Sequence, residues 1–177
     1  DDYIDNSLER RGGPCAHEAH GYPMANISSC TAFSIDHKLF YNNTMQLSAA
    51  KTTRLLNAMA WEKTQMAFGR VMELYWTESN ITDVTVDQYM QETISRCAFL
   101  TFRGPMRYAG ILADAPEEDI SHLECIGEYM LVGYHLKGDD LDMSPTSEDW
   151  GKVAGEDITT GRRTILINYL LQNAPDE

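Results

Sequence analysis

The sequence predicts an all-α fold, a helical bundle, on three observations. After a glycine-containing loop at residues 11–14, helical signals dominate to the end of the chain. Residues 46–76 carry apolar side chains at helical spacing without any proline, which fits one long helix of a bundle better than strands. No repeat, low-complexity tract or interdomain linker interrupts the 177 residues, about the length of one ordinary domain. We therefore expect residues 1–177 to form a single domain, or part of one.

The next helix is predicted from its start signal. Thr85 and Gln88 have the spacing of a capping box, in which each side chain bonds to the other residue's backbone N–H. The helix should begin here and run to about Ala113, with a kink at Gly104-Pro105.

Two further helices are predicted from the position of a proline, the placement of acidic residues and the spacing of apolar residues. Pro116 stands at a predicted first helical position, with acids in the first turn, and this helix ends in the acidic cluster KGDDLD. Residues 143–161 are loop-like, and TILINYLLQ at 164–172 restarts a helix.

Composition and charge exclude several classes of partner. With 43% apolar and 23% charged residues, we expect a soluble globular protein, and no apolar run approaches the length of a membrane span. The net charge of −13 argues against nucleic acid or an anionic membrane surface and favours metal cations. The cysteines lie far apart without CxxC spacing, so neither a zinc site nor a disulfide framework is suggested. A cytoplasmic location is the simplest interpretation.

The first residues, DDYIDNSLERRG, concentrate three aspartates and two arginines. On a helix Asp1 and Asp5 would lie on one face, and their repulsion would be relieved either by solvent or by a bound cation. A charge run of this kind is most often a solvated helix face. A second cluster, GDDLD at residues 138–142, and the RRG that follows the first cluster favour the cation.

The two acidic clusters are part of a wider resemblance. The DDxxD-x4-RRG pattern of residues 1–12, with the second cluster, is similar to the signatures of the trans-isoprenyl diphosphate synthase (polyprenyl synthetase) family. Further segments resemble motifs of that family: PCAHEAHG at 14–21, GRVMELYW at 69–76, YHLKGDDLD at 134–142 and GKVAGEDITTGRRT at 151–164. The resemblance implies an isoprenoid-synthase-type helical bundle, incomplete at both ends. The chain would be a fragment that runs from the first DDxxD motif to just past the second aspartate-rich motif.

The resemblance also implies magnesium chemistry. In this family two facing aspartate clusters hold up to three Mg²⁺ ions, with Mn²⁺ as an alternative, and the ions grip the diphosphate of an allylic substrate. By position the implied metal ligands are Asp1, Asp5, Asp139 and Asp142. Mg²⁺ prefers oxygen ligands, so a few carboxylates and phosphate oxygens make a suitable shell. The implied activity is prenyl transfer, in which isopentenyl diphosphate attacks an allylic cation and a proton is lost.

Several residues are implied to hold the substrates. The catalytic group carried over from the motifs consists of Asp1, Asp2, Asp5 and Arg10. Arg10 would contact the allylic diphosphate and Arg11 that of isopentenyl diphosphate, because a guanidinium grips phosphate bidentately and keeps its charge. The other implied substrate-binding residues are Arg96, His135, Lys152 and Arg162.

Two departures from the family pattern concern charge in the expected site. Gly138 stands where the second cluster has its first aspartate, so one usual metal ligand is absent unless Asp140, or a one-residue shift of Asp139 and Asp140, supplies it. Arg70 stands where the long helix has Gln, and we expect an ion pair with Glu73 three residues later.

Other departures leave alternative functions open. His135 replaces Gln, Cys97 replaces Thr, and with Gly138 they motivate a non-catalytic synthase-like subunit that is a partner or regulator of an active synthase. A class I terpene cyclase is disfavoured by the RRG segment and by the lack of an N-x3-S-x3-E motif. The full-length protein is expected to be a homodimer or heterodimer, and the 177-residue chain alone to be inactive.

Overall fold

The computed structural model describes residues 2–43, 46–144 and 154–174, and most of these residues are helical. The predicted all-α class is confirmed. In chain order the described elements are β1 (Glu9–Arg10), β2 (Gly13–Pro14), α1 (Ala16–His20), α2 (Tyr22–Asn42), α3 (Ala49–Glu78), α4 (Val86–Thr101), α5 (Arg103–Leu112), α6 (Glu117–Met143), α7 (Glu156–Thr159) and α8 (Ile165–Asn173). No helix in these three ranges has the length and the apolar character that crossing a membrane demands.

The long helix α3 is present as predicted, with shifted ends. It begins after Ser48, whose hydroxyl accepts a hydrogen bond from the Lys51 N–H, and it ends at Glu78, two residues beyond the predicted limit. Helices α2, α4 and α5 pack against α3, and α6 packs against α4 and α5.

The capping box of α4 is confirmed. The Thr85 hydroxyl accepts from the Gln88 N–H, and the Gln88 side-chain oxygen accepts from the Thr85 N–H. The predicted kink is a break at Phe102, two residues before Gly104. A Cβ at Gly104 would lie 2.3 Å from the Phe99 carbonyl oxygen, so only glycine fits this tight turn.

The C-terminal helices differ from prediction in detail. Pro116 precedes α6 instead of opening it, and acids fill the first turn as predicted. In the stretch 143–161, predicted to be a loop, Glu156–Thr159 form the helical turn α7, and residues 145–153 lie outside the described residues. Helix α8 begins after Thr164, whose hydroxyl accepts from the Ile167 N–H, within one residue of the predicted start.

The opening segment is not helical in the part that the structure describes. Residues 2–6 form turns and not the helix on which Asp5 was considered, and Asp1 lies outside the described residues. Strands β1 and β2 pair antiparallel around a two-residue turn at Arg11 and Gly12, with φ of 54° and 77°. Positive φ at both positions is typical of a type I′ hairpin, which the helical pattern did not predict.

Two apolar clusters support the bundle. The first consists of Leu55, Ala58, Ile111 and Ile120 from α3, α5 and α6. The second consists of Trp76, Val84 and Tyr89 and lies where α3 passes into α4. Trp76 and Tyr89 also line a pocket, so this second cluster forms part of the wall of the charged site described next.

Candidate active site

A buried ionic cluster lies where α3, α4 and the segment from α7 to α8 meet, and Glu73 of α3 is its centre. Only 7% of Glu73 is exposed. Arg162 Nε donates to Glu73 Oε1 at 2.7 Å, Arg70 Nη1 donates to Oε2, and Arg96 Nε lies 3.6 Å from Oε2. Burial alone would raise the pKa of Glu73, but Arg96, Arg162 and Arg70 lower it to about 2.

The close approach of α3 and α4 assembles this cluster. A Cβ at Gly69 would lie 2.5 Å from the backbone nitrogen of Arg96, so the two helices meet backbone to backbone beside Arg70. Glu92, 3% exposed, accepts a hydrogen bond from Arg96 Nε one helical turn later. Burial raises the pKa of Glu92, although Arg96 opposes the change.

Asp5 reaches the same cluster from the opening segment. Arg70 Nη2 donates to Asp5 Oδ1 at 2.7 Å, and Arg162 Nη2 lies 3.5 Å from Asp5 Oδ2. Arg162 also donates to Asp157 Oδ1 at 3.3 Å. One guanidinium therefore links three carboxylates that are far apart in the sequence, those of Asp5, Glu73 and Asp157.

The three aspartates of the second cluster have different surroundings. Asp139 accepts a hydrogen bond from the Tyr89 hydroxyl at 2.7 Å, and burial raises its pKa. Asp140 is exposed and pairs with Lys137 Nζ at 2.6 Å. Asp142 is 5% exposed, and its Oδ2 accepts from the Asp157 N–H at 3.1 Å, which caps the start of α7.

Two adjoining pockets share the side chains of Glu73 and Arg162. The first is also lined by the predicted site residues Arg96, His135 and Asp139. The second is also lined by Asp5 and Arg70. The fold thus brings together five residues that the sequence predicted to be in the site: Asp5, Arg96, His135, Asp139 and Arg162.

Other predicted site residues lie elsewhere. Asp2 pairs with Arg10, with 2.9 Å between Asp2 Oδ1 and Arg10 Nη1, and both lie in the exposed opening segment. Arg11 is exposed on the hairpin turn, and Asp142 lines neither pocket. Lys152 lies outside the described residues.

Sequence reasoning missed three residues of the cluster. Tyr89 and Glu92 precede Arg96 by seven and four positions, a spacing that places all three on one helix face, and this pattern could have identified them. Asp157 belongs to the segment 151–164 that resembles a family motif, so the motif could have identified it, but its contact with Arg162 depends on the turn that follows α7.

The donor set fits a divalent cation in its chemistry, since carboxylate oxygens of Asp5 and Asp139 border the two pockets and Mg²⁺ prefers oxygen ligands. In the part of the chain that the structure describes, no three His, Cys, Asp or Glu side chains are grouped as ligands of one metal ion. Asp5 and Asp139 instead accept hydrogen bonds from Arg70 and Tyr89. A cation at Asp5 would therefore take the place of Arg70, whereas Tyr89 donates to only one oxygen of Asp139.

The comparisons with known sequences give a consistent result. The Polyprenyl synthetase family model matches residues 1–177. Octaprenyl diphosphate synthase of Escherichia coli strain K12 is 25% identical over 177 residues, which cover 100% of this chain and 52% of that protein. Farnesyl diphosphate synthase of Bacillus subtilis strain 168 is 29% identical over 178 residues, which cover 97% of this chain and 57% of that protein. The chain spans about half the length of these relatives.

Solved structures share the fold. The crystal structure of geranylgeranyl pyrophosphate synthetase from Pyrococcus horikoshii superposes with a TM-score of 0.86 at 24% identity, over 99% of this chain and 52% of that chain. Farnesyl diphosphate synthase of T. brucei complexed with a bisphosphonate superposes with a TM-score of 0.84 at 21% identity, over 99% and 64% of the two chains. The predicted isoprenoid-synthase-type helical bundle is confirmed for the part of that fold which the chain covers.

Proposed function

Because this chain belongs to the polyprenyl synthetase family, we propose that the whole protein is a prenyltransferase that joins isopentenyl diphosphate to an allylic diphosphate. The observation that carries the proposal is the first pocket, in which Arg96, Arg162 and Asp139 converge from α4, the turn before α8, and α6. Two permanently charged guanidiniums suit a diphosphate, and a neighbouring carboxylate suits its counter-ion.

The proposed reaction breaks one bond and forms another. The C–O bond between the allylic carbon and its diphosphate breaks, and the electron pair leaves with the diphosphate. The double bond of isopentenyl diphosphate attacks the allylic cation, a C–C bond forms, and loss of a proton restores a double bond. Arg96 and Arg162 would stabilise the charge that develops on the leaving diphosphate, because both are already in place and stay protonated.

Bound Mg²⁺ or Mn²⁺ would add positive charge at the same leaving group. Asp5 and Asp139 are the described residues that would hold it, and Asp1 and Asp142 complete the set by resemblance to the family. Tyr89 orients the Asp139 carboxylate by donating to one of its oxygens, which leaves the other oxygen for a cation.

The substrates would be held by further residues of this chain. His135 lines the first pocket with Arg96 and Arg162, and can donate to an oxygen of the allylic diphosphate. Arg11 projects from the hairpin turn, where we propose that it contacts isopentenyl diphosphate, with Arg10 beside it held by Asp2. Lys152 keeps its proposed role in diphosphate binding by resemblance alone.

Subunit association belongs to the proposal. The side chains that α2 exposes include large apolar ones, among them Ile27, Phe33, Ile35 and Leu39. Exposed apolar side chains around α2 fit association into a homodimer or heterodimer better than permanent exposure to water. A cytoplasmic location is proposed with it, because all four cysteines are free thiols.

A second candidate function is a non-catalytic synthase-like subunit. It is favoured by one feature of the site, the absence of a carboxylate at Gly138, where a built Cβ meets nothing within 4 Å. Gly138→Asp therefore has room for its side chain, and we expect turnover to rise because the site gains a cation ligand. A folded variant slower than the parent would show that Asp140 or another group already fills this role.

The test of the main proposal is incorporation of labelled isopentenyl diphosphate by the whole protein with Mg²⁺. Asp139→Asn should reduce incorporation by about 100-fold, because a neutral amide binds a cation weakly. Asp119→Asn is the matched control, since Asp119 is an exposed aspartate in the first turn of the same helix, lines neither pocket, and should change the rate by less than about threefold. A folded protein that incorporates no label, but raises the activity of a partner synthase, would favour the second candidate instead.

A further inference from the structure

Arg70 joins the two acidic parts of the site. One edge of its guanidinium pairs with Glu73, three residues later on α3, and the other edge donates to Asp5 at 2.7 Å. The Arg70 side chain is 14% exposed, and that of Asp5 is 22% exposed. Because Glu73 holds the first edge and Gly69 fixes α3 against α4, the second edge is directed at Asp5.

The charges that line the two pockets compensate each other. The acidic side chains are those of Asp5, Glu73, Glu92 and Asp139, and the guanidiniums are those of Arg70, Arg96, Arg162 and Arg163. Arg163 has a structural role, because it donates hydrogen bonds to the carbonyl oxygen of Gly161 and to the side chain of Asn80. A cation that binds Asp5 alone would have to take this carboxylate from Arg70, and an anion that binds Arg70 alone would have to take this guanidinium from Asp5.

A cation and an anion that bind together do not leave a protein charge without a partner. If a divalent cation binds Asp5, the Arg70 edge that held Asp5 becomes available to an anion in the same pocket. If a diphosphate binds Arg70, the Asp5 carboxylate becomes available to a cation. Each ligand thereby increases the affinity of the other by the same factor, as thermodynamic linkage requires.

We propose that Arg70 is a positioning residue that blocks Asp5 in the unliganded site and so couples the binding of a divalent cation to the binding of a diphosphate. The inference rests on the proposed function, since it concerns the ligands of that same site. It goes beyond it by assigning a role to a residue that replaces the Gln of the family motif. A Gln side chain has no charge and cannot neutralise Asp5, so the substitution Arg70→Gln is a direct test.

The experiment is calorimetry on the whole protein with Mg²⁺ alone, with inorganic pyrophosphate and a chelator, and with both ligands. The coupling factor is the ratio of the Mg²⁺ affinities with and without pyrophosphate. In Arg70→Gln we expect Mg²⁺ alone to bind about tenfold more tightly, and the coupling factor to fall about tenfold. Arg54→Gln is the matched control, because Arg54 is an exposed arginine of α3 that pairs with Glu117 outside the site.

A second variant changes the carboxylate of the pair, Asp5, instead of the guanidinium. Asp5→Ala removes the acceptor of Arg70 Nη2, so pyrophosphate should bind about fivefold more tightly in the presence of the chelator. This measurement decides the question if Arg70→Gln does not fold. A residue with only a structural role would lower the melting temperature and weaken both ligands alike, which would overturn the inference.

The remaining outcomes separate the two proposals. A parent protein that binds pyrophosphate with Mg²⁺, and whose coupling factor is the same in folded Arg70→Gln, contradicts the role of Arg70 alone. A parent protein without any Mg²⁺-dependent pyrophosphate binding contradicts the proposed function, and the role of Arg70 with it.

Discussion

Glu62 and Glu73 are two buried carboxylates on the same face of α3, eleven positions and about three helical turns apart, and each faces arginines. Their contacts differ. Glu73 accepts a direct hydrogen bond from Arg162 at 2.7 Å, whereas the nearest guanidinium nitrogens lie 3.6 Å (Arg103) and 3.9 Å (Arg107) from Glu62 Oε1. Among the described atoms, Glu62 Oε1 has no hydrogen-bond partner.

The pKa values follow the contacts. Three arginines hold the pKa of Glu73 at about 2 despite burial, whereas burial raises the pKa of Glu62 although Arg103 and Arg107 oppose it. Opposite charges that are close but not hydrogen-bonded therefore do not offset the rise in pKa that burial causes at Glu62.

The cause lies in what else the arginines contact. The Arg103 guanidinium lies 4.5 Å from the centre of the Trp61 ring, and Arg107 Nη1 lies 3.1 Å from Glu124 Oε1. Both guanidiniums contact these other groups as well as Glu62, and neither lies within hydrogen-bond distance of Glu62. At Glu73, by contrast, the Gly69 contact brings Arg96 of α4 close to the carboxylate, which Arg70 of α3 and Arg162 of the turn before α8 also reach.

The largest expected effect is the loss of the Glu73 charge. Glu73→Gln leaves three buried guanidiniums without their common partner, so we expect the free energy of unfolding at pH 7 to fall by about 3–5 kcal/mol. Urea denaturation of the whole protein measures this. A loss below about 1 kcal/mol would mean that other contacts hold the cluster and that Glu73 is no better paired than Glu62.

The two carboxylates should also give opposite pH dependences. Glu73 has a pKa of about 2 in the folded protein against an ordinary value of 4.5, so its stabilisation is present above pH 4.5 and is lost as the pH falls towards 2. That difference corresponds to roughly 3 kcal/mol. Glu62 has a raised pKa, so its contribution to stability decreases as the pH rises above 4.5. The difference in unfolding free energy between the parent and each Glu→Gln variant, measured from pH 3 to 7, should have opposite slopes for the two residues.

The close approach of α3 and α4 can be tested separately. Gly69→Ala places a Cβ 2.5 Å from a backbone nitrogen of α4, so we expect a loss of about 1–3 kcal/mol and weaker pyrophosphate binding. Gly133→Ala in α6 is the control, because a Cβ there meets no atom within 4 Å and should be neutral or stabilising. Equal effects of the two substitutions would contradict the importance of the Gly69 contact.

The smallest expected effect is at Glu62. Glu62→Gln replaces a poorly compensated charge by a neutral side chain of the same shape, so the free energy of unfolding at pH 7 should change by less than about 1 kcal/mol, or increase. Urea denaturation again provides the measurement. A loss as large as that at Glu73 would show that both clusters are equally well paired.

Local signals in the sequence predicted most of the helices. The capping box at Thr85 and Gln88 involves residues three apart, so its hydrogen bonds depend only on nearby backbone. The hairpin at residues 9–14 was missed because its turn has Arg11 at positive φ, where a glycine or asparagine is usual. The break at Phe102 was predicted to within two residues from Gly104-Pro105.

The sequence predicted one local ion pair of the candidate site, but not the contacts between its distant segments. The ion pair of Arg70 with Glu73 was predicted and is present, because the two lie one helical turn apart. The contact of Arg162 with Asp5 joins residues 157 positions apart, so it depends on how the segments pack and not on local spacing. The same is true of the buried cluster around Glu62, whose contacts with Arg103 and Arg107 join residues more than forty positions apart.

The cap that Asp142 provides for α7 affects how genetic data on this motif should be interpreted. Loss of activity in an Asp142→Ala strain would combine two defects, a missing anionic oxygen and a displaced turn that carries Arg162. Asp142→Asn keeps a side-chain oxygen that can accept from the Asp157 N–H, so it preserves the turn and removes only the charge. An allelic series of Asp, Asn and Ala at this position would therefore assign the phenotype to charge or to architecture.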